Sequence, residues 1–259
     1  MIDLHCHILP GLDDGPATPE RSVALARELA VAGVGTVAAT PHLREDHPRV
    51  VPAELAEACR ALEGELERVG VRLSVVSGAE VDLFWALEAS DAELRLASYA
   101  GRGSDLLVET PYGPLLPNFE EQLLSLCARG FRVLLAHPER NPSFQAEPER
   151  LAELVRRGVL VQVTAGSLLR PRRSRSGGLA RALLRDGLAH VIASDAHGAS
   201  AGPTARAPGW EGLEVARSLV GEAQVEWLVS DAPQAVLAGE ELPARPAARR
   251  SRWAFFRSR

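Results

Sequence analysis

The first sixteen residues, Met1-Ile2-Asp3-Leu4-His5-Cys6-His7-Ile8-Leu9-Pro10-Gly11-Leu12-Asp13-Asp14-Gly15-Pro16, decide how the rest of the chain is read. A short β-prone run, Ile2 to Leu4, leads into two histidines separated by one residue. Side chains alternate along an extended segment, so His5 and His7 fall on one side, the spacing two imidazoles need to chelate one ion. The loop Gly11 to Gly15 behind them offers Asp14 as a further oxygen donor. Near the other end, Ser194-Asp195-Ala196-His197 repeats the spacing with a carboxylate and an imidazole. One such pair is weak evidence for a metal site; two, each directly after a strand, make a strong signal.

Working outward, seven apolar runs read as strands: Ile2 to Leu4, Val34 to Ala39, Leu73 to Val76, Leu106 to Val108, Val133 to Ala136, Leu160 to Val163 and Val191 to Ala193. Amphipathic helices alternate with them. The first is opened by Thr18 as a cap with Pro19 at the first helical position, and places Val23, Ala26 and Ala30 on one face with Leu25 and Leu29 beside them. Others cover about Pro52 to Val69, Phe119 to Arg129, Pro148 to Arg157, Gly178 to Asp186 and Glu211 to Leu219. This alternation marks repeated βα units, and 259 residues suit a parallel βα barrel or a doubly wound sheet. His42 follows the second run, Glu80 the third, Glu109 the fourth and His137 the fifth, while Asp195 and His197 follow the seventh. In a parallel barrel the C-terminal strand ends form one face, so all of these converge there. The candidate metal ligands are therefore His5, His7, Asp14, His42, Glu80, Glu109, His137, Asp195 and His197.

Composition removes several other chemistries. The 29 basic residues against 34 acidic ones leave a formal charge of −5, and every basic residue is arginine. Without lysine there is neither Schiff-base nor P-loop lysine chemistry. Cys6, Cys59 and Cys127 are odd in number and widely spaced, which argues against a disulfide framework or a thiolate zinc site. None has an arginine six positions later, so the phosphate loop of cysteine-dependent tyrosine phosphatases is missing. Ala165-Gly166-Ser167-Leu168 does not complete a G-x-S-x-G elbow, and Gly101-Arg102-Gly103 lacks the third glycine of a dinucleotide fingerprint. No run of about 18 apolar residues and no basic-then-apolar leader is present, so a cytoplasmic protein without a membrane span is expected, and no nucleic-acid partner. One domain over residues 1–240 is expected, with 241–259 as a flexible tail. From Arg245 onward that tail holds six arginines and no acid, with Trp253, Phe255 and Phe256, a mix suited to peripheral contact with an anionic membrane surface or a partner. The basic stretch Arg170 to Arg175 suits a phosphorylated or acidic partner.

The first sixteen residues, Ala39-Thr40-Pro41-His42, Gly78-Ala79-Glu80, Ala136-His137-Pro138-Glu139-Arg140-Asn141 and Ala193-Ser194-Asp195-Ala196-His197 together resemble the PHP (polymerase and histidinol phosphatase) superfamily. More closely, the chain is similar to the manganese-dependent bacterial protein tyrosine phosphatases of capsule and exopolysaccharide loci, the CpsB/YwqE type. The resemblance implies a distorted (β/α)7 barrel of PHP type with three divalent metals at the C-terminal ends of the strands. His5, His7, Glu80 and Asp195 would hold the first, Glu80, Glu109 and His137 the second, and Asp14, His42 and His197 the third. Five imidazoles, four carboxylates and no thiolate suit manganese, iron, cobalt or zinc; family habit favours manganese. The resemblance also implies water attack on phosphorus, with the guanidiniums of Arg140 and Arg206 on the phosphoryl oxygens. The implied substrate is the phosphotyrosine tail of a membrane-bound bacterial tyrosine kinase of polysaccharide assembly. Rival readings are a PHP phosphoesterase for a small molecule such as histidinol phosphate, and a catalytically silent regulatory binding protein. Two positions depart from the family pattern, Leu43 in place of a second histidine and Gly198 in place of asparagine. Both are expected on the rim of the site, where they alter substrate fit without emptying a metal site.

Overall fold

The computed structural model describes residues 1–199 and 208–247. All seven predicted runs contain strands, with ends displaced by no more than two residues, except that short unpredicted strands at His42–Leu43 and Glu80–Val81 continue the second and third runs. β1 (Ile2–Cys6) is followed by α1 (Pro19–Val31), and the second run divides into β2 (Thr36–Ala39) and β3 (His42–Leu43). After α2 (Leu55–Arg68) the third run divides in the same way into β4 (Ser74–Ser77) and β5 (Glu80–Val81). The chain continues through α3 (Leu83–Glu88), α4 (Asp91–Ala97), β6 (Asp105–Val108), α5 (Phe119–Ala128), β7 (Arg132–Leu135), α6 (Pro142–Ala146) and α7 (Glu149–Arg156). It then forms β8 (Leu160–Thr164), α8 (Ala165–Leu169), α9 (Arg175–Arg185), β9 (Val191–Ala193), α10 (Gly212–Val220), α11 (Glu222–Glu226) and α12 (Ala232–Ala238).

The strands make two parallel sheets, β1-β2-β4 and β3-β5-β6-β7-β8-β9. The divided runs belong to both: Thr36 pairs with Ser74 in the first sheet and His42 with Glu80 in the second. Pro41, which has no N–H to give, sits at one break. At the other, a Cβ on Gly78 would stand 3.2 Å from the Tyr99 ring, a tight approach that glycine relieves. The outer edges, β9 and β1, meet at a single bridge between Cys6 and Ala196. Asp195 N–H donates to the His5 carbonyl at 2.7 Å and His7 N–H to the Ala196 carbonyl at 2.9 Å. Asp3 staples the same seam, accepting from Ser194 N–H at 3.0 Å and Ser194 Oγ–H at 2.6 Å. Burial pushes the Asp3 carboxyl up to about 6 against those hydrogen bonds. Among the described residues the parallel strands thus occupy seven positions, distorted at the two breaks and at a bridged seam.

Strand alternation sorts the apolar residues into two clusters. Leu4, Ala38, Leu107, Leu134, Ala136, Leu160, Val191 and Ala193 fill the barrel interior, with Val236 and Leu237 of α12 packed into the same cluster. Val37, Val81, Val108, Val133, Leu135, Val161, Val163 and Ile192 face the surrounding helices. Followed toward the C-terminal ends, the inner rows turn polar: Ala38 leads to His42, Leu107 to Glu109, and Leu160 to Gln162 and Thr164. The same alternation corrects the expectation for Leu43. It follows inward His42, so it points outward into the helix layer, 3% exposed, and is a core residue and not a rim residue.

Thr18 does stand at the N-cap of α1 with Pro19 next, but its side chain makes no capping hydrogen bond. The Thr18 carbonyl instead accepts from the N–H groups of Arg21 and Ser22, each at 3.1 Å. Sequence reading also passed over α3, α4, α6, α8, α11, α12 and the π-helical turn Trp227–Asp231. Residues beyond 240 run along the body as far as Ala247. Trp227 Nε1–H donates to the Pro243 carbonyl at 3.0 Å, and Gln224 Nε2–H to that of Pro246 at 2.9 Å. Arg245 stacks on the Trp227 ring, with Cζ 4.8 Å from the centroid. Trp253, Phe255, Phe256 and the arginines from Arg249 on lie outside the described residues.

Candidate metal centre

The strand ends bring the candidate donors into three overlapping groups: His5, His7, Glu80 and Asp195; His42, Glu80 and Glu109; and His7, Asp14, His42 and His197. Glu80 is the hub. Its Oε2 lies 3.2 Å from His5 Nε2, 3.3 Å from His7 Nε2 and 3.0 Å from His42 Nδ1, and its Oε1 lies 2.8 Å from His137 Nε2. Asp195 Oδ1 is 3.3 Å from His5 Nε2. At the other end Asp14 Oδ1 is 3.1 Å from His197 Nε2 and 3.6 Å from His42 Nε2. The first group has the expected members. The second gathers His42 where His137 was expected, and His137 touches it through Glu80; the third adds His7.

Three of the imidazole rings, those of His5, His7 and His197, are turned by a neighbour. His7 Nδ1–H donates to Asp13 Oδ2 at 2.6 Å. The Gly11 to Gly15 loop folds back to deliver that carboxylate, so closely that a Cβ on Gly15 would stand 2.3 Å from the His7 carbonyl oxygen. Asp13 is held down to about 2: burial opposes ionisation, but the His7 hydrogen bond and charge outweigh it. Gln162 Oε1 accepts the backbone N–H of His137 at 3.0 Å and faces His5 Nδ1 at 3.2 Å, which fixes the amide orientation and makes His5 Nδ1 the donor. His197 Nδ1–H donates to the Asp195 carbonyl at 3.0 Å. Asp13 and Gln162 are the functional residues that sequence reading missed. A lone amide in the buried strand Leu160-Val161-Gln162-Val163-Thr164 was the available signal for the second.

The donor set fits cations. With both Nδ1 atoms protonated, His5 Nε2 and His7 Nε2 present lone pairs to each other at 3.3 Å. That repulsion requires a shared cation or a proton, and donors about 2 Å from one ion stand at this spacing. His42 Nδ1 and Glu80 Oε2 are buried without a hydrogen bond although 3.0 Å apart. Burial resists charge on Glu80, yet His5 and His137 hold its carboxyl well below the usual range. Glu109 goes the other way, pushed up by burial and by the Glu80 charge. Of three non-glycine residues with left-handed φ among the described residues, two are His137 at 34° and Asp195 at 51°. Such backbone costs about 1–3 kcal/mol per residue and tends to persist where a site demands it.

Arg140 sits on the turn after His137 and pairs through Nη1 with Asp195 Oδ2, the carboxylate oxygen turned away from His5. Its side chain is 31% exposed, placed at the edge of the donor set. Arg206 lies outside the described residues. No cysteine here is a nucleophile in waiting: burial pushes Cys6 well above its ordinary range, Cys59 to about 12, and Cys127 upward.

Comparison with known proteins agrees with this geometry. Residues 1–238 match the family described as capsular polysaccharide synthesis, CpsB/CapC. The tyrosine-protein phosphatase YwqE of Bacillus subtilis is 31% identical over 260 residues, 99% of this chain and 100% of that protein. The tyrosine-protein phosphatase CpsB of Streptococcus pneumoniae is 27% identical over 213 residues, 78% of this chain and 85% of that one. A chain from the crystal structures of YwqE from Bacillus subtilis and CpsB from Streptococcus pneumoniae, described as unique metal-dependent tyrosine phosphatases, superposes with a TM-score of 0.81 at 29% identity. The match covers 96% of this chain and 100% of that one.

Proposed function

The chain belongs to the CpsB/CapC family of capsular polysaccharide synthesis, and from that membership we propose that it is a metal-dependent phosphatase that hydrolyses phosphotyrosine. The observation that carries the reading is the hub at Glu80, which joins imidazoles from three strand ends within 3.3 Å of its two oxygens. Three divalent ions are assigned, manganese by the resemblance, held by His5, His7, Asp14, His42, Glu80, Glu109, His137, Asp195 and His197. Ions bound there supply Lewis acidity toward the phosphoryl group and bring the pKa of water toward neutrality.

The chain's own groups do the rest. Asp13 and Gln162 hold the His7 and His5 rings with Nε2 inward, so these two donors are oriented before an ion binds. Arg140, tethered by Asp195 at the edge, presents the remaining N–H groups of its fork to phosphoryl oxygens; Arg206 is assigned the same task. With the three thiols held protonated, the reading needs no cysteinyl intermediate, and water is the nucleophile. The substrate proposed is the phosphotyrosine tail of a membrane-bound bacterial tyrosine kinase, met in the cytoplasm, whose dephosphorylation regulates capsule or exopolysaccharide synthesis. No helix among the described residues is long and apolar enough to cross a membrane.

Phosphate release from a tyrosine-phosphorylated kinase-tail peptide, beside histidinol phosphate, tests the reading. Manganese-dependent turnover of the peptide, lost with chelator and in His137→Ala, is expected. Turnover of histidinol phosphate alone makes the protein a metabolic phosphoesterase, and silence on both makes it a binding protein.

A further inference from the structure

The loop after Glu109 carries an aromatic ring that none of the donor groups uses. Tyr112 is 67% exposed, yet the backbone on either side of it is fastened. Asn141 Nδ2–H groups donate to the carbonyls of Pro111 at 2.7 Å and Gly113 at 2.9 Å. Asn141 is itself 2% exposed and directly follows Arg140, so the turn that places the arginine also places this loop. Leu115 N–H donates to Ser143 Oγ at 3.0 Å, a further tie to α6. Directly after β3, Arg44 lays its guanidinium over the Tyr112 ring, Cζ 6.0 Å from the centroid, while Nη1 reaches Glu109 Oε2 at 3.3 Å. Beginning at Pro111, an apolar groove of about 200 Å3 runs between Leu83, Phe84, Pro114, Leu116 and Phe119. Burial gives little reward to a ring that is 67% exposed, although its loop is fastened. The fastening does preorganise a surface for a ligand ring.

We propose that Tyr112 is the wall of an aryl subsite. Its ring stacks on the phenyl ring of the substrate's phosphotyrosine, with the phosphoryl group at the Glu109 end of the donor set. Arg44 and Asn141 are positioning residues that hold the wall, and the groove from Pro111 takes a neighbouring apolar residue of the polypeptide. The inference rests on the phosphatase reading above and adds what makes the substrate aromatic.

The test measures KM for a tyrosine-phosphorylated peptide, Ki for inorganic phosphate and manganese affinity by calorimetry in wild type, Tyr112→Ala and Tyr112→Phe. Loss of the stack is expected to raise KM about three- to tenfold in Tyr112→Ala. Phosphate Ki and manganese affinity stay at wild-type values, because neither ligand reaches the ring, and Tyr112→Phe keeps the wild-type KM. An unchanged KM in Tyr112→Ala overturns the subsite, and so does an equal rise in KM and phosphate Ki, which would make Tyr112 a support for the donor set. A wild type silent on the phosphopeptide sinks the phosphatase reading itself, a result distinct from either.

Discussion

In the group formed by His5, His7, Glu80 and Asp195 no residue is more than 3% exposed, whereas the group formed by His7, Asp14, His42 and His197 opens to solvent through Asp14, whose side chain is 43% exposed. The two share His7 but not their surroundings. Around the inner group, Gln162 fixes His5, Asp13 fixes His7, Arg140 takes the outer oxygen of Asp195, and the β9–β1 seam crosses directly beneath. The outer group hangs on a loop carboxylate and on the histidine that follows the seam. An ion bound by the inner group is therefore expected to exchange slowly, and one bound by the outer group to exchange faster with solvent.

The hardest blow to this contrast is Glu80→Gln, because Glu80 serves the inner group and the Glu109 group together. Turnover should fall by about 10³-fold, as when a preorganised electrostatic partner is removed, and bound metal should fall with it. Retention of full metal content would mean that the hub is not at Glu80. Next comes Gln162→Ala, which removes the acceptor shared by His5 and His137. Inner-group affinity should weaken about 10- to 100-fold in calorimetric titration, with outer-group affinity untouched; equal weakening of both would erase the distinction. Asp14→Asn acts on the open side alone, so its lost activity should return at high manganese, which Glu80→Gln does not allow.

The smallest effect on either group is expected from His190, at the opposite end of β9. Burial, with Arg245 nearby, lowers its pKa to about 4, and its Nδ1 accepts the Val161 N–H at 3.1 Å, which requires the neutral ring. The unfolded chain binds the proton more readily, with an ordinary pKa near 6.5. Its contribution is therefore fully present above about pH 6.5 and is lost as pH falls through 4, at most about 3 kcal/mol. Unfolding curves of wild type and His190→Gln should converge across that interval, with metal content equal in the two; a parallel offset would deny the linkage.

Much of this was legible because ligand chemistry follows strand ends. His5, His7, His42, Glu80, Glu109, His137, Asp195 and His197 each stand where an apolar run stops, and the runs themselves needed only β-prone composition. The breaks at Pro41 and Gly78 were not legible as sheet changes, since pairing partners are set by tertiary register. Division of labour within Asp13-Asp14 was equally hidden: adjacent identical carboxylates are distinguished only by the loop that turns one to His7 and the other to His197. The capping box Ser90 to Glu93 was a readable start for α4 that the strand pattern overshadowed.

Manganese stoichiometry after gel filtration, by elemental analysis of wild type beside Asp14→Asn, tests the account most directly. Three equivalents in the wild type and two in the variant are predicted, with the two retained ions leaving slowly under chelator. A single equivalent in the wild type, or the same count in both proteins, would contradict it.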